Sequence, residues 1–180
     1  GTMARLMLDL WHYTGQRIGD VHALGPQNIK SRRIELRQQK TGARLSLPIL
    51  APLAESIMAT QSGAMAFIVR RNGLPFTEKG ISNRFRKWCD EAGLPHCSAH
   101  GVRKAAARRL AESGCSNQEI KAWTGHKTDF EVARYTAAAS QSQLSDAGAT
   151  RLMANLAERV SHNGHSENTN PIEKAKQNER

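Results

Sequence analysis

At 180 residues the chain is long enough for one domain with a full core, and a composition 39% hydrophobic but only 5% aromatic makes that core mostly aliphatic. Lysine and arginine number 26 against 16 acidic residues, a formal charge of +10 that points to a polyanionic partner, nucleic acid first. No apolar run approaches the roughly 18 residues of a membrane span and no signal-peptide pattern is present; Cys89, Cys97 and Cys115 form no CxxC pair, which favours reduced thiols over a disulfide framework.

Leu6, Met7, Leu8, Leu10 and Trp11 predict a buried helix over Ala4 to His12. Thr14-Gly15 turns the chain, and a second helical stretch runs through Ile18, Val21 and Leu24 until Gly25-Pro26 stops it. Ile34 and Leu36, then Leu45, Leu47 and Ile49, alternate with polar residues around the turn Lys40-Thr41-Gly42-Ala43. Arg33 to Ile49 therefore reads as a β-hairpin, with Pro48 at the end of an edge strand. Pro52 opens a short helix to about Thr60, and Phe67-Ile68-Val69 reads as a brief third strand or a buried connection.

Thr77 is the predicted N-cap of a helix carrying Ile81, Phe85, Trp88 and Ala92, ended by Gly93 and Leu94-Pro95. Further helices are expected over Ala99–Glu112, after the Ser116/Glu119 capping box, over Thr128–Ala139, and over Thr150–Val160. Beyond Ser161 the composition is polar, and 161–180 reads as a disordered tail. The predicted fold class is mainly α with a small antiparallel β-sheet.

Six residues stand out for their chemistry and order: Arg17, Lys40, His100, Arg103, His126 and Tyr135. Cations of this kind suit a phosphodiester, and a tyrosine hydroxyl beside them is a candidate nucleophile. They lie in TGQRIGD, KTGARLSLPI, HGVR, TGH and RYT, with Tyr135 nine positions after His126. Zinc binding around His96, Cys97 and His100 is disfavoured, because no second cluster completes four ligands.

Taken together, in this order, these motifs resemble the catalytic domain of the tyrosine recombinases of the phage integrase family, over about Ala4 to Ala139. The resemblance implies a catalytic domain over 4–160 that cuts and rejoins DNA through a 3′-phosphotyrosyl link at Tyr135, with release of a 5′-hydroxyl. It implies that Arg17 and Arg103 clamp the non-bridging oxygens, that His126 donates to the phosphate, that His100 serves as acid-base group, and that Lys40 protonates the leaving 5′-oxygen. A phenol, with an ordinary pKa of about 10, needs such help to act as a nucleophile at neutral pH. Asp20, three residues after Arg17, is a supporting residue placed to hold that arginine or a histidine, and Lys104, Arg108 and Arg109 are candidates for DNA-backbone contact.

No metal, nucleotide or other cofactor is implied, because the phosphotyrosyl bond conserves the phosphodiester. The implied partners are double-stranded DNA and further protomers, four on two duplexes, joined through residues from about Gln141 to Val160. A monomer is possible without DNA, and accessory directionality proteins are possible partners. The implied setting is the cytoplasm of a bacterium or of a phage-infected cell, on the nucleoid. An N-terminal core-binding domain is expected to be absent from this chain, leaving DNA binding weaker than in an intact protein. Two departures from the usual pattern stand out: Thr124 where leucine commonly precedes Gly-His, and Gly101 where an acidic or polar residue commonly follows the histidine. A type IB topoisomerase-like relaxing enzyme and a non-catalytic DNA-binding protein that keeps the fold are the alternatives.

Overall fold

A computed structural model of the chain describes residues 1–137 and 141–163. It divides into two compact units, 1–140 and 141–180. The fold is mostly helical with one small sheet, as the sequence pattern predicts.

In the first unit, helix α1 spans Met3–Thr14; Thr2 caps it by accepting from the Arg5 amide at 3.2 Å, and Gly15 ends it in the left-handed region at φ 64°. Leu6, Met7, Leu10 and Trp11 are fully buried, the i, i+1, i+4, i+5 stripe that lets one helical face enter the core. Trp11 meets Phe85 edge to face at 4.7 Å between ring centroids. Tyr13 packs its ring edge-on to His12 at 4.9 Å.

Helix α2 is a short piece, Ile18–His22. Strands β1 (Ile29–Lys30), β2 (Arg33–Arg37) and β3 (Arg44–Pro48) form an antiparallel sheet in the order β1-β2-β3, with Ile34 opposite Leu47 and Leu36 opposite Leu45. Ile34 and Leu36 are buried while Arg33, Glu35 and Arg37 are exposed, the period-2 pattern of a strand with one wet face. Pro48 closes the edge strand as predicted. Strand β1 was not foreseen: Ser31 and Arg32 both take positive φ, 47° and 60°, and make a tight two-residue turn without the Asn-Gly signature.

Helix α3 covers Ala51–Met58 with Pro52 in its first turn. Phe67-Ile68-Val69 is a buried connection, tied by the Phe67 amide to the Leu24 carbonyl at 2.8 Å, and only Val69 makes an isolated bridge, to Pro75. Helix α4 (Glu78–Glu91) starts at the predicted Thr77 cap and buries Ile81, Phe85 and Cys89. Helix α5 (Ala99–Glu112) is capped by Ser98 and packs on α1 with Ala106, Ala107 and Ala111 buried. Small side chains there let the two helices approach closely, and Arg103, one turn earlier on the same face, is carried inward with them.

Helix α6 (Asn117–Thr124) begins in the Ser116/Glu119 capping box and ends at Gly125; helix α7 (Asp129–Thr136) begins in a second box, Thr128/Glu131. In the second unit, helix α8 runs Gln141–Asn163, longer at both ends than the predicted Thr150–Val160. The polar stretch 141–149 has little apolar periodicity to announce a helix. Leu152, Met153, Leu156 and Val160 are exposed on α8. The first three residues of the expected tail continue α8, and 164–180 lie outside the described residues. Among the described residues no helix is long and apolar enough to cross a membrane.

Candidate active site

A cavity of about 670 Å³ opens where the start of α2, the β2–β3 turn, the N-terminal half of α5, the end of α6 and α7 converge. Arg17, Lys40, His100, Arg103, His126 and Tyr135 all line it, and so does Asp20. Residues separated by more than a hundred positions are thus brought to one opening. Lys104, Arg108 and Arg109 do not line it: Lys104 is exposed on α5, Arg108 pairs with Glu112 at 2.7 Å, and the Arg109 charge reaches His12.

Arg103 is 4% exposed and buried without a carboxylate partner among the described residues. Its Nη1 donates to the Gly15 carbonyl at 2.5 Å and to the Thr124 carbonyl at 3.0 Å, and its Nη2 lies 3.1 Å from His126 Nε2. Both carbonyls sit at helix C-termini, where unpaired oxygens and the helix dipole favour a cation. Burial, then the charge of Arg17, lowers the Arg103 pKa to about 10, so the guanidinium keeps its charge at neutral pH. Three of the five N–H donors of an arginine are used in these bonds, which leaves donors for a ligand in the cavity.

Arg17 is only half-buried and donates from Nη1 to Gln38 Oε1 at 2.9 Å. Gln38 is the hub of a buried polar network that the motif reading did not single out. Its Nε2 donates to Gln16 Oε1 at 2.6 Å and to the Thr124 carbonyl at 2.8 Å, and Thr41 Oγ1 donates to its Oε1 at 2.6 Å. Gln16 in turn donates to the carbonyls of Thr14 and Trp123. A signal was present: Gln38 continues the inward alternation of Ile34 and Leu36, and a glutamine at an inward position needs partners.

Asp20 does not hold an arginine or a histidine. Its Oδ1 accepts from the Gln39 amide at 2.8 Å, and Gln39 Nε2 donates to the Gly19 carbonyl, so α2 grips the backbone next to Lys40. The β2–β3 turn is closed by Gly42, at φ 71°, whose amide donates to the Gln38 carbonyl. Glu78, Ser82, Ser98, Glu131 and Arg134 also line the cavity and were not singled out by motif. Among the described residues no three of His, Cys, Asp and Glu converge as metal ligands.

Gly125 sits at φ 72°, and a Cβ there would overlap the Gln38 carboxamide. Gly125→Ala combines a left-handed alanine, about 1–2 kcal/mol, with a displaced hub, so a loss of about 2–3 kcal/mol is expected in urea denaturation. A midpoint unchanged from wild type would show that the hub tolerates displacement.

Burial and neighbouring cations push His100 and His126 toward the neutral form. Burial and then the charges of Lys104, Arg103 and Arg134 lower the His100 pKa; burial and then Arg103 push His126 down to about 4, against a smaller opposing pull from Glu131. Between about pH 4 and 6.5 the unfolded chain therefore binds more protons at His126 than the folded one. Its contribution to stability is complete above that window and is lost as pH falls through it. Solvent screens part of the half-buried ring, which leaves about 1–2 kcal/mol. Denaturation free energies measured across the window should fall more steeply for wild type than for His126→Gln, and parallel curves would contradict the linkage.

The family model described as "Phage integrase family" matches residues 1–142. The chain belongs to the phage integrase family. Within the family it is 28% identical over 144 residues to the integrase of Escherichia phage HK022, covering 73% of this chain and 40% of that protein. It is 24% identical over 147 residues to the tyrosine recombinase XerC of Chlamydia caviae, covering 76% of this chain and 47% of that one. Among solved structures, a lambda integrase tetramer bound to a Holliday junction superposes with a TM-score of 0.61 at 25% identity, over 73% of this chain and 43% of that chain. The chain thus spans less than half the length of these phage integrase family relatives.

Proposed function

We propose that this chain supplies the catalytic domain of a site-specific DNA recombinase that cleaves and rejoins strands through Tyr135. The observation that carries the reading is the convergence of Arg17, Arg103, His100, His126, Lys40 and Tyr135 on one cavity in a chain of the phage integrase family. Tyr135 Oη attacks the scissile phosphorus, its proton passes to His100, and the bond to the 5′-oxygen breaks as that oxygen takes a proton from Lys40. The product is a 3′-phosphotyrosyl ester, and reversal by another 5′-hydroxyl rejoins the strand. Arg17 and Arg103 donate to the non-bridging oxygens, where negative charge grows most in the transition state, and His126 assists them. Removing one donor of this kind costs roughly 10²-fold or more in rate.

Lys104, Arg108 and Arg109 contribute salt-sensitive contacts to flanking phosphates. The partner is double-stranded DNA, acted on by a tetramer whose protomers are linked through α8 residues between Gln141 and Val160, on the bacterial nucleoid. Support for both comes from the exposed apolar residues of α8 and from the junction-bound lambda tetramer. Similarity to a phage integrase and to XerC fits integration or excision and chromosome resolution alike; TGH and the arginine-rich run after HGVR favour integration.

The test is a nicked duplex carrying the protein's own site, incubated with the intact protein and run under denaturing conditions. A protein–DNA adduct whose link maps to the 3′-phosphate is expected. No adduct, with salt-sensitive binding retained, would overturn the enzymatic reading in favour of a DNA-binding protein. Relaxation of supercoiled plasmid by a monomer without synapsis would favour a topoisomerase.

A further inference from the structure

Thr124 offers two different groups to the site. Its carbonyl accepts from Arg103 Nη1 and from Gln38 Nε2. Its hydroxyl stands between the Ile120 carbonyl, 2.6 Å away, and His126 Nδ1, also 2.6 Å away. A hydroxyl has one proton to give, and a carbonyl can only accept, so the proton points to Ile120. His126 Nδ1 must then carry a proton and donate it to the threonine oxygen. At the other end of the ring, Arg103 Nη2 lies 3.1 Å from Nε2 and can only donate. All three bonds close in one direction only: Arg103 to His126 to Thr124 to Ile120.

We infer that Thr124 is a positioning residue whose hydroxyl decides which nitrogen of His126 carries the proton, holding the ring as an acceptor for Arg103 until a phosphate oxygen arrives. The first half of this inference stands on the hydrogen-bond geometry alone; the second rests on the phosphodiester chemistry proposed above. A phosphate oxygen carries lone pairs and cannot share space with the bare Nε2. Rotation of the hydroxyl from Ile120 to Nδ1 resolves the conflict. Nε2 takes a proton from water and Nδ1 gives one to water, so the ring begins and ends neutral. His126 then donates to the phosphate, and the Arg103 Nη2 donor it occupied is freed for the same oxygen. The charged groups around the ring are Arg103 on α5, Arg17 ahead of α2, and Glu131 and Arg134 on α7, with the Tyr135 ring 5.8 Å away. A leucine at this position has no hydroxyl with which to set the tautomer, so the device belongs to chains with a hydroxyl residue before Gly-His.

The experiment is nitrogen-15 NMR of the histidine-labelled chain at neutral pH, with the His126 signal assigned by its loss in His126→Gln. The expected signature is a protonated Nδ1 and a bare Nε2. A protonated Nε2 in the free wild-type chain overturns the inference, whatever any variant does. Thr124→Val keeps the side-chain shape and the backbone carbonyl but removes the hydroxyl, so its ring should lose the single tautomer, and Thr124→Ser should restore it. A valine variant with the wild-type ring signature also overturns the inference. In the nicked-duplex assay the valine variant should form adduct about tenfold more slowly, the effect of one aligned hydrogen bond, with recovery in the serine variant. An unchanged rate in the valine variant, with its ring tautomer altered, removes the second half. Absence of adduct in wild type as well as variants counts against the proposed activity and leaves the ring signature to decide on Thr124.

Discussion

Tyr135→Phe should form no covalent adduct on the nicked duplex while remaining folded and able to bind DNA. In the proposed mechanism the phenol oxygen is the atom that bonds to phosphorus, and phenylalanine removes it and nothing else. Tyr135 is buried in α7, at 9% exposure, with its ring 5.8 Å from that of His126, so a phenyl ring keeps the packing. Losing one hydroxyl changes stability by about 1 kcal/mol or less. The chain has one other tyrosine, Tyr13, which sits on α1 against His12 and does not line the cavity. It has no geometry for rescue. Adduct formed by the phenylalanine variant would therefore place the nucleophile on another residue type and undo the mechanism.

The two arginines should separate when activity and stability are measured side by side. Under the proposed mechanism Arg17→Ala and Arg103→Ala should each lower the single-turnover cleavage rate by about 10²-fold or more, because each would remove a donor to the same phosphate. Only Arg103→Ala should also unfold the protein more easily, by about 2–4 kcal/mol in urea denaturation. It strands the buried carbonyl of Gly15 and takes one of two donors from that of Thr124. Arg17 makes one bond, to a glutamine that keeps a second donor in Thr41, and its charge opposes that of Arg103. Its loss should leave the midpoint unchanged or slightly raised. Arg103→Lys should not rescue, since a single ammonium cannot span two carbonyls, a ring nitrogen and a phosphate. Equal stability losses at the two positions would show that Arg103 does not help tie α1 to α6.

What the sequence made legible follows from how local each signal is. Thr77, Ser116 and Thr128 announce helix starts because a cap is a contact within three or four residues, and the hairpin around Lys40 announces itself through alternation on either side of a turn. The six candidate residues stand in motifs, and all six line one cavity. The network beneath them was not visible in that way. Gln38 meets Gln16 across 22 positions and Thr124 across 86, and Arg103 reaches Gly15 across 88. No local pattern encodes such closures. Thr124 was noticed only as a departure from a leucine, since a hydroxyl shared by a helix carbonyl and a histidine depends on where α6 ends. Asp20 was read with the right neighbourhood and the wrong partner. Three residues on a helix place it beside Arg17, but the β2–β3 turn brings the Gln39 amide closer.

The buried seat of Arg103 also bears on what happens to damaged copies of the protein in a cell. A residue that joins the ends of two helices cannot be lost without loosening them, and a loosened chain is what quality-control proteases remove. If the chain acts as the proposed tetramer on DNA, lesions at Tyr135 or Arg17 should leave a full-abundance protomer that still occupies sites and enters assemblies with intact copies, interfering with them. Lesions at Arg103 should instead deplete the polypeptide and behave as simple absence. The same loss of chemistry would then read as dominant in one case and recessive in the other.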